Sequence, residues 1–151
     1  MTTAETQTKT DVWLKTGNQY KNAENFSEAF VWYLKAASNG NPRAQFEVSL
    51  CFSAGTGCES DQLMALHWMN NAAKNGCGDA LIHMGIYYSE GIKEATPIDF
   101  IESYKYFRVA HAIGHKNALG WLKLLHHWMS SQQIAEGKRR FRKFRSQHYP
   151  I

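Results

Sequence analysis

The sequence of 151 residues lacks the features that mark membrane proteins and secreted, disulfide-bonded proteins. No stretch approaches the roughly 20 apolar residues that a membrane-spanning helix needs. Residues 1–10 have neither the basic start nor the apolar run of a signal peptide. The cysteines are odd in number and form no CxxC pair; they are Cys51, Cys58 and Cys77. We therefore expect free thiols in a soluble, cytoplasmic protein.

Sequence signatures of catalysis and of bound cofactors are missing as well. The sequence has no P-loop, no GxSxG and no dinucleotide-binding glycine pattern. The closest histidine pairs are His111 with His115 and His126 with His127. Neither pair has a carboxylate or a cysteine at the spacing of metal ligands. The notable carboxylates are interpreted as helix caps or exposed helix positions: Glu47, Asp61, Asp79, Asp99 and Glu102. We expect no metal, no cofactor and no enzymatic activity.

Acidic residues are absent from the C-terminal end of the chain, where the basic residues concentrate. The chain has 17 basic and 13 acidic residues, a formal charge of +4. Six of the basic residues fall within eight positions: Lys138, Arg139, Arg140, Arg142, Lys143 and Arg145. All 13 acidic residues precede them, so residues 1–137 carry 11 positive and 13 negative charges, a net −2. An anionic partner would therefore be attracted to this basic patch and not to the body of the protein.

The sequence does contain a repeat with a period of 36 to 38 residues. Its first copy is Ala29, Trp32, Ala36, Ala37, Gly40 and Ala44. Its second copy is Ala65, Trp68, Ala72, Ala73, Gly76 and Ala80, and its third is Ser103, Tyr106, Ala110, His111, Gly114 and Ala118. Small residues and one aromatic at positions i, i+3 and i+7 share one face of a helix. The glycine is placed to end that helix, and the following alanine begins the next one.

A second helix is predicted before each of these segments. Gly17, Ser49 and Gly85 occupy equivalent places in those helices, where a small residue lets a neighbouring helix approach. The turn around Gly55 and Gly57 ends with Ser60 or Asp61 as the cap of the next helix, and Asp99 is the equivalent cap in the third unit. The longer third turn holds Gly91 and Pro97. The pattern predicts a stack of helix pairs.

These residues resemble the Sel-one-like repeat family, a branch of the tetratricopeptide-repeat superfamily. The resemblance covers roughly residues 12–128 and is most complete from Ala44 to Ala80. It implies an all-α, right-handed α-solenoid of antiparallel helix pairs that acts as an adaptor, scaffold or assembly factor. We expect a flexible segment at residues 1–10 and a solenoid at residues 11–129, with units near 11–41, 42–77 and 78–115 and a partial fourth at 116–129.

Residues 130–151 are predicted to form a basic capping helix and tail. Ser130 is a suitable N-cap, and Ile134, Phe141 and Phe144 form one apolar stripe that should pack on the last repeat. The basic patch then has two interpretations. It is either the solvated outer face of a terminal helix or a site for nucleic acid, anionic lipid or an acidic protein surface.

A second apolar stripe runs along the first helix of each unit, about 200° around the helix from the packing face. In the superhelices that this sequence resembles, such positions line the concave surface. The predicted groove for a protein or peptide partner consists of Leu14, Asn18, Lys21, Asn22, Phe46, Leu50, Ser53, Ile82, Ile86, Ser89, Leu124 and His127. The alternative is that the stripe is buried inside the array or covered by the chain itself. Whether the protein is a monomer or a homodimer stays open.

Overall fold

A computed structural model of the chain describes residues 2–91 and 97–149, and that part holds eight helices. The helices are α1 (Thr3–Asn22), α2 (Phe26–Ser38), α3 (Pro42–Ala54), α4 (Gln62–Lys74), α5 (Gly78–Glu90), α6 (Phe100–Ala112), α7 (Ala118–Trp128) and α8 (Ser131–His148). The described residues contain no strand, so the predicted all-α class is confirmed. Part of the predicted turn between Gly91 and Pro97 lies outside the described residues.

The chain folds into two compact units. We call them the N-terminal half (Met1–Cys77) and the C-terminal half (Gly78–Ile151). In the N-terminal half α1 packs on α2, α2 on α3, and α3 on α4. In the C-terminal half α5, α7 and α8 all pack on α6. Within each half, consecutive helices up to α7 therefore pack on one another as the repeat predicts, and α8 packs on α6.

The first helix begins at Thr3, which corrects the prediction of a flexible segment at residues 1–10. A capping box starts it: the Glu5 backbone N–H donates to Thr2 Oγ1 at 3.3 Å, and the Thr2 N–H donates to Glu5 Oε2 at 2.8 Å. Thr10 is buried, and the Asn41 amide donates to Asp11 Oδ1 at 2.8 Å. Local capping and this contact with the start of α3 hold the segment in helical form.

The predicted helix ends are confirmed by their caps. The Asp61 carboxylate accepts from two backbone N–H groups at the start of α4, both at 3.0 Å, and the Asp99 carboxylate accepts from one, the Glu102 N–H at the start of α6, at 2.9 Å. Ser130 starts α8 with a second capping box. The repeat glycines Gly40 and Gly76 follow the ends of α2 and α4 with φ of 88° and 92°.

The core of the N-terminal half combines small residues with a few large ones. Its buried members are Ala29, Tyr33, Ala36, Ala37, Ala44, Val48 and Cys51. Alanines on facing helices let the backbones approach closely, and the larger side chains fill the space that remains. The alanine positions of the sequence repeat are therefore the positions where helices touch.

One close contact joins the two helices of each pair. A Cβ added at Gly85 would lie 2.4 Å from Cε1 of Phe107, and one added at Gly17 would lie 2.6 Å from the ring of Tyr33. In the second pair Ser49 Oγ lies 3.8 Å from Met69 Sδ. The large residue occupies the same repeat position each time, so a small residue opposite it is a requirement of every complete pair.

The fourth pair is not formed in this way. The residue of α7 equivalent to Gly17, Ser49 and Gly85 is Lys123, which is exposed. Helix α8 packs on α6 instead, where a Cβ added at Gly137 would lie 2.6 Å from Cδ1 of Tyr104. The last helix therefore supplies the small residue, and α8 packs on helix α6 of the third repeat.

Replacing Gly85 with alanine is expected to lower the free energy of unfolding by about 1–3 kcal/mol, because the added methyl group overlaps the buried ring of Phe107. Gly120 of α7 is the matched control, since a Cβ there meets nothing within 4 Å. Gly120→Ala should stabilise the protein by about 0.5–1 kcal/mol through helix propensity. Urea denaturation of both variants measures the difference. Equal effects at the two positions would contradict the close contact.

Candidate interaction surfaces

A cleft of about 140 Å³ opens in the N-terminal half beside α1, α2 and α3. Its lining is mostly apolar and includes two residues of the predicted groove, Lys21 and Leu50. The other lining residues were not anticipated from the sequence: Phe26, Ala29, Tyr33, Glu47, Cys51, Ala54 and Thr56. The first helices of two repeat units, α1 and α3, thus contribute to one concave site.

The turn between α3 and α4 forms part of this cleft through Thr56. Gly57 has φ of 77°, and a Cβ there would lie 2.2 Å from the carbonyl oxygen of Phe26, so the turn lies directly against the start of α2. The Thr56 N–H donates to the Cys51 carbonyl at 3.0 Å and fixes the turn to the end of α3. The glycine-rich segment is a turn, as predicted, and it also shapes the candidate site.

The polar side of the cleft is an ion pair network around Glu47. The Glu47 side chain is only 7% exposed, and its carboxylate accepts from Lys21 Nζ and Arg43 Nη2, each at 3.0 Å. Glu47 was expected at an exposed or capping position, which is wrong, because two cations compensate its burial. The i, i+4 spacing of Arg43 and Glu47 was the signal in the sequence.

Tyr33 connects the cleft wall to the exposed face of α1. Its hydroxyl donates to Asn18 Oδ1 at 2.8 Å, and Asn18 is one of the predicted groove residues. Burial raises the pKa of Tyr33 far above its ordinary range, and the nearby Glu47 carboxylate raises it further. The phenol therefore stays protonated and acts as a hydrogen-bond donor.

Two members of the predicted groove are not available at the surface. Phe46 is 4% exposed and Ile82 is 8% exposed. Helix α3 is buried continuously from Ala44 to Ser49, so the buried arc is wide enough to include the second stripe. In addition, the Arg43 guanidinium lies 5.1 Å from the ring centroid of Phe46. For these two positions the alternative of a buried stripe is the correct one.

The remaining groove residues differ in exposure. Leu14, Leu50, Ile86 and Ser89 are half-buried, and Leu124 is 52% exposed. The exposed polar members are Asn18, Lys21, Asn22, Ser53 and His127. The Ser89 hydroxyl donates to the Ile86 carbonyl of its own helix at 2.9 Å. A groove that uses residues of both halves stays a prediction.

Arg140 of the basic patch is part of the contact between α8 and α6. Its Nη1 lies 2.6 Å from Glu102 Oε2 and 3.6 Å from Asp99 Oδ2, and its Nε donates to Glu136 Oε1 at 3.1 Å. Glu102 also pairs with Lys105, which is only 10% exposed. Burial lowers the pKa of Lys105, whereas the bond to Glu102 opposes that shift.

The other five basic residues lie on exposed parts of α8. Arg139 donates twice to Glu136 of the same helix, at 2.7 Å each, and together Arg139 and Arg140 lower the pKa of Glu136 to about 2. Within residues 2–91 and 97–149 no carboxylate pairs with the side chains of the other four, which are Lys138, Arg142, Lys143 and Arg145. The patch thus contains Arg140, which bonds to α6, Arg139, which bonds within α8, and four cations without a carboxylate partner in the described part of the chain.

One histidine of each predicted pair contacts another side chain of the C-terminal half. His115 Nε2 lies 3.1 Å from Asp79 Oδ1, which joins the turn after α6 to the start of α5. His126 stacks on Tyr104 with 5.6 Å between ring centroids. In the described part of the chain no three histidine, cysteine or carboxylate side chains form a metal-binding group, and no helix there is long and apolar enough to cross a membrane.

Removing the Arg140 side chain is expected to lower the free energy of unfolding by about 1–2 kcal/mol, because charged hydrogen bonds between α8 and α6 are lost. Arg139→Ala is the control, since Arg139 pairs only within α8 and is largely exposed. Its effect should be much smaller, because an exposed ion pair contributes little to stability. Thermal unfolding compares the two variants. Equal losses would show that Arg140 does not hold α8 in place.

Cys51 is expected to make the stability of the protein sensitive to alkaline pH. Burial, with smaller contributions from Cys58 and Glu47, raises the pKa of its thiol from 9.0 to about 11. The unfolded chain therefore loses the proton first, and stability is unaffected below about pH 9 and falls as pH rises toward about 11. Between about pH 8 and about pH 10 this group should cost about 1 kcal/mol.

Comparing wild type with Cys51→Ala isolates this contribution, because the buried tyrosines titrate in both proteins. The variant should lose less stability over the same pH interval, as measured by urea denaturation at each pH. Identical pH dependence of the two proteins would mean that the thiol is not buried as described.

Comparison with known proteins gives a consistent result. The Sel1 repeat family matches residues 15–41, 42–77 and 78–112. The chitin synthase regulator SKT5 of Saccharomyces cerevisiae is 35% identical over 63 residues, which is 42% of this chain and 9% of that protein. Chitin synthase regulatory factor 3 of Schizosaccharomyces pombe is 36% identical over 64 residues, again 42% of this chain and 7% of that protein. The match therefore spans less than a tenth of either relative.

Solved structures share the fold. A protective antigen of uropathogenic Escherichia coli with an SLR fold superposes with a TM-score of 0.82 at 21% identity, over 93% of this chain and 31% of that chain. A Sel1 repeat protein from Oxalobacter formigenes superposes with a TM-score of 0.65 at 27% identity, over 76% of this chain and 87% of that chain. Because three matched repeats account for well over half of the sequence, this protein belongs to the Sel1 repeat family.

Proposed function

We propose that this protein is a non-catalytic interaction module, an adaptor or scaffold that binds a protein or peptide partner. Membership of the Sel1 repeat family and likeness to two regulators of chitin synthase support a protein-interaction role. The observation that carries the proposal is the apolar cleft beside α1 and α3. The three free thiols favour work in a reducing compartment such as the cytoplasm.

The size of the cleft suits a single side chain of a partner. Pockets for drug-sized ligands measure about 300–1,000 Å³, and this cleft measures about 140 Å³. Leu50, Phe26 and Ala54 offer apolar contact to an inserted side chain. One anchoring residue in an apolar pocket is a frequent origin of affinity in protein interfaces.

Exposed polar side chains of α1 and α3 supply the polar contacts that a bound peptide needs. Asn18 and Asn22 of α1 and Ser53 of α3 are exposed, and they belong to the predicted concave face. Their amides and hydroxyl can pair with the backbone of an extended peptide or with the polar side of a helix. The bound segment thus combines an apolar anchor with polar neighbours.

Replacing Leu50 with aspartate tests this site. A carboxylate at this position removes the apolar contact with an inserted side chain and should weaken partner binding by about 2 kcal/mol or more, roughly thirtyfold. Leu63→Asp is the matched control, because Leu63 is 81% exposed at the start of α4 in the same half. Partners are identified by affinity purification of the wild-type protein, and their affinity for each purified variant is then measured by calorimetry.

Circular dichroism must show that both variants keep the helical content and cooperative unfolding of the wild type. A folded Leu50→Asp protein that binds its partner as tightly as Leu63→Asp would remove the cleft from the proposal. A partner that is chemically converted by the purified protein would contradict the non-catalytic role.

A further inference from the structure

A trough runs along one side of α8, next to the start of α6 in the C-terminal half. It consists of two depressions of about 660 and 370 Å³ that share Arg139. Ile101 and Ala135 contribute to the first, and Lys105 and Lys143 to the second. Neither depression belongs to the cleft of the N-terminal half, so this surface is independent of the function proposed above.

The trough follows one face of α8 for about four turns. Gln132, Glu136, Arg139, Lys143 and Gln147 are spaced by 4, 3, 4 and 4 residues, so their side chains project in similar directions. Fifteen residues of helix between the two glutamines correspond to about 22 Å. An extended peptide of about six or seven residues has the same length.

The charge of the trough favours an anionic occupant. Five cations line it, and they are Lys105, Arg139, Arg140, Arg142 and Lys143. Two carboxylates, Glu102 and Glu136, leave a net charge of +3. Both carboxylates already bind arginine or lysine, which leaves Arg142 and Lys143 without a carboxylate partner in the described part of the chain. The free cations are therefore ready to bind a partner's carboxylates.

The chemistry of the trough distinguishes between anionic partners. Ile101 and Ala135 provide an apolar section, and the glutamine amides at the two ends can pair with a peptide backbone. Single-stranded nucleic acid is held by aromatic rings that stack on bases, whereas the one ring at the trough, Phe144, is buried. Membrane-binding helices expose large apolar side chains, and the exposed ones in the described residues lie outside α8.

We propose that this trough binds an extended acidic peptide segment of a partner protein. The carboxylates of the peptide pair with Arg139, Arg142 and Lys143, and an apolar side chain packs on Ile101 and Ala135. Arg139 uses two of its five N–H donors on Glu136 and keeps the others for the peptide. The bound segment is about six or seven residues long and carries about three negative charges in excess.

Fluorescence anisotropy with the full chain tests the proposal. The probe is a labelled peptide of about seven residues, made of glutamates and serines around one central leucine. Arg142→Glu combined with Lys143→Glu should weaken binding at least about tenfold, because two pairs become repulsive. Lys138→Glu combined with Arg145→Glu is the matched control with the same change of net charge at two exposed positions of α8 that line neither depression, and it should weaken binding less than about threefold.

Four results would contradict binding of an acidic peptide in the trough. Equal losses in the two double variants, or no binding of the peptide by the wild type at physiological ionic strength, would overturn the proposal. Tighter binding of a short RNA or DNA duplex than of the peptide would overturn it in favour of a phosphate-binding surface. A peptide with serine in place of leucine should bind about three- to tenfold more weakly, and unchanged affinity would contradict recognition of a peptide at Ile101.

Discussion

Each complete helix pair depends on one contact, in which a large side chain of the second helix packs on a small residue of the first. Tyr33 covers Gly17, and Phe107 covers Gly85, at distances that leave no room for a Cβ atom. These contacts bring the two helices of a pair so close that alanines form much of the core between them. The cleft of the N-terminal half is a consequence, because the close pairs fix where the first helices and the turns must lie.

The cleft shows how this constraint produces a site. Tyr33 is held between α1 and α2, so its hydroxyl reaches Asn18 while its ring forms part of the cleft wall. The turn at Gly57 lies against Phe26 and places Thr56 beside the same cleft. The cleft therefore contains residues that stabilise the fold beside residues that are open to a partner. A partner's side chain would meet a surface that is already ordered, which reduces the entropy cost of binding.

The end of the chain obeys the same rule with a different result. Lys123 occupies the position of the small residue in α7, so a large residue of a following helix cannot pack closely there. Gly137 of α8 supplies the small residue instead and faces Tyr104 of α6, while Arg140 pairs with Glu102 of the same helix. This arrangement uses one cation of the basic patch for structure and leaves the exposed side of α8 to the others. Arg140 therefore has a structural role that neither interpretation of the patch anticipated.

The sequence by itself determined the helix class, the repeat and most helix ends, because caps such as Asp61 and repeat glycines such as Gly76 act within a few residues. It also placed α1 too late, because residues 1–10 are polar and lack the apolar periodicity that predicts a packed helix. Only the tertiary structure decided which side chains are open to a partner. Burial of Phe46 and Glu47 and the pairing of Arg140 with α6 depend on helices that are distant in sequence, and periodicity along one helix cannot show what another helix covers.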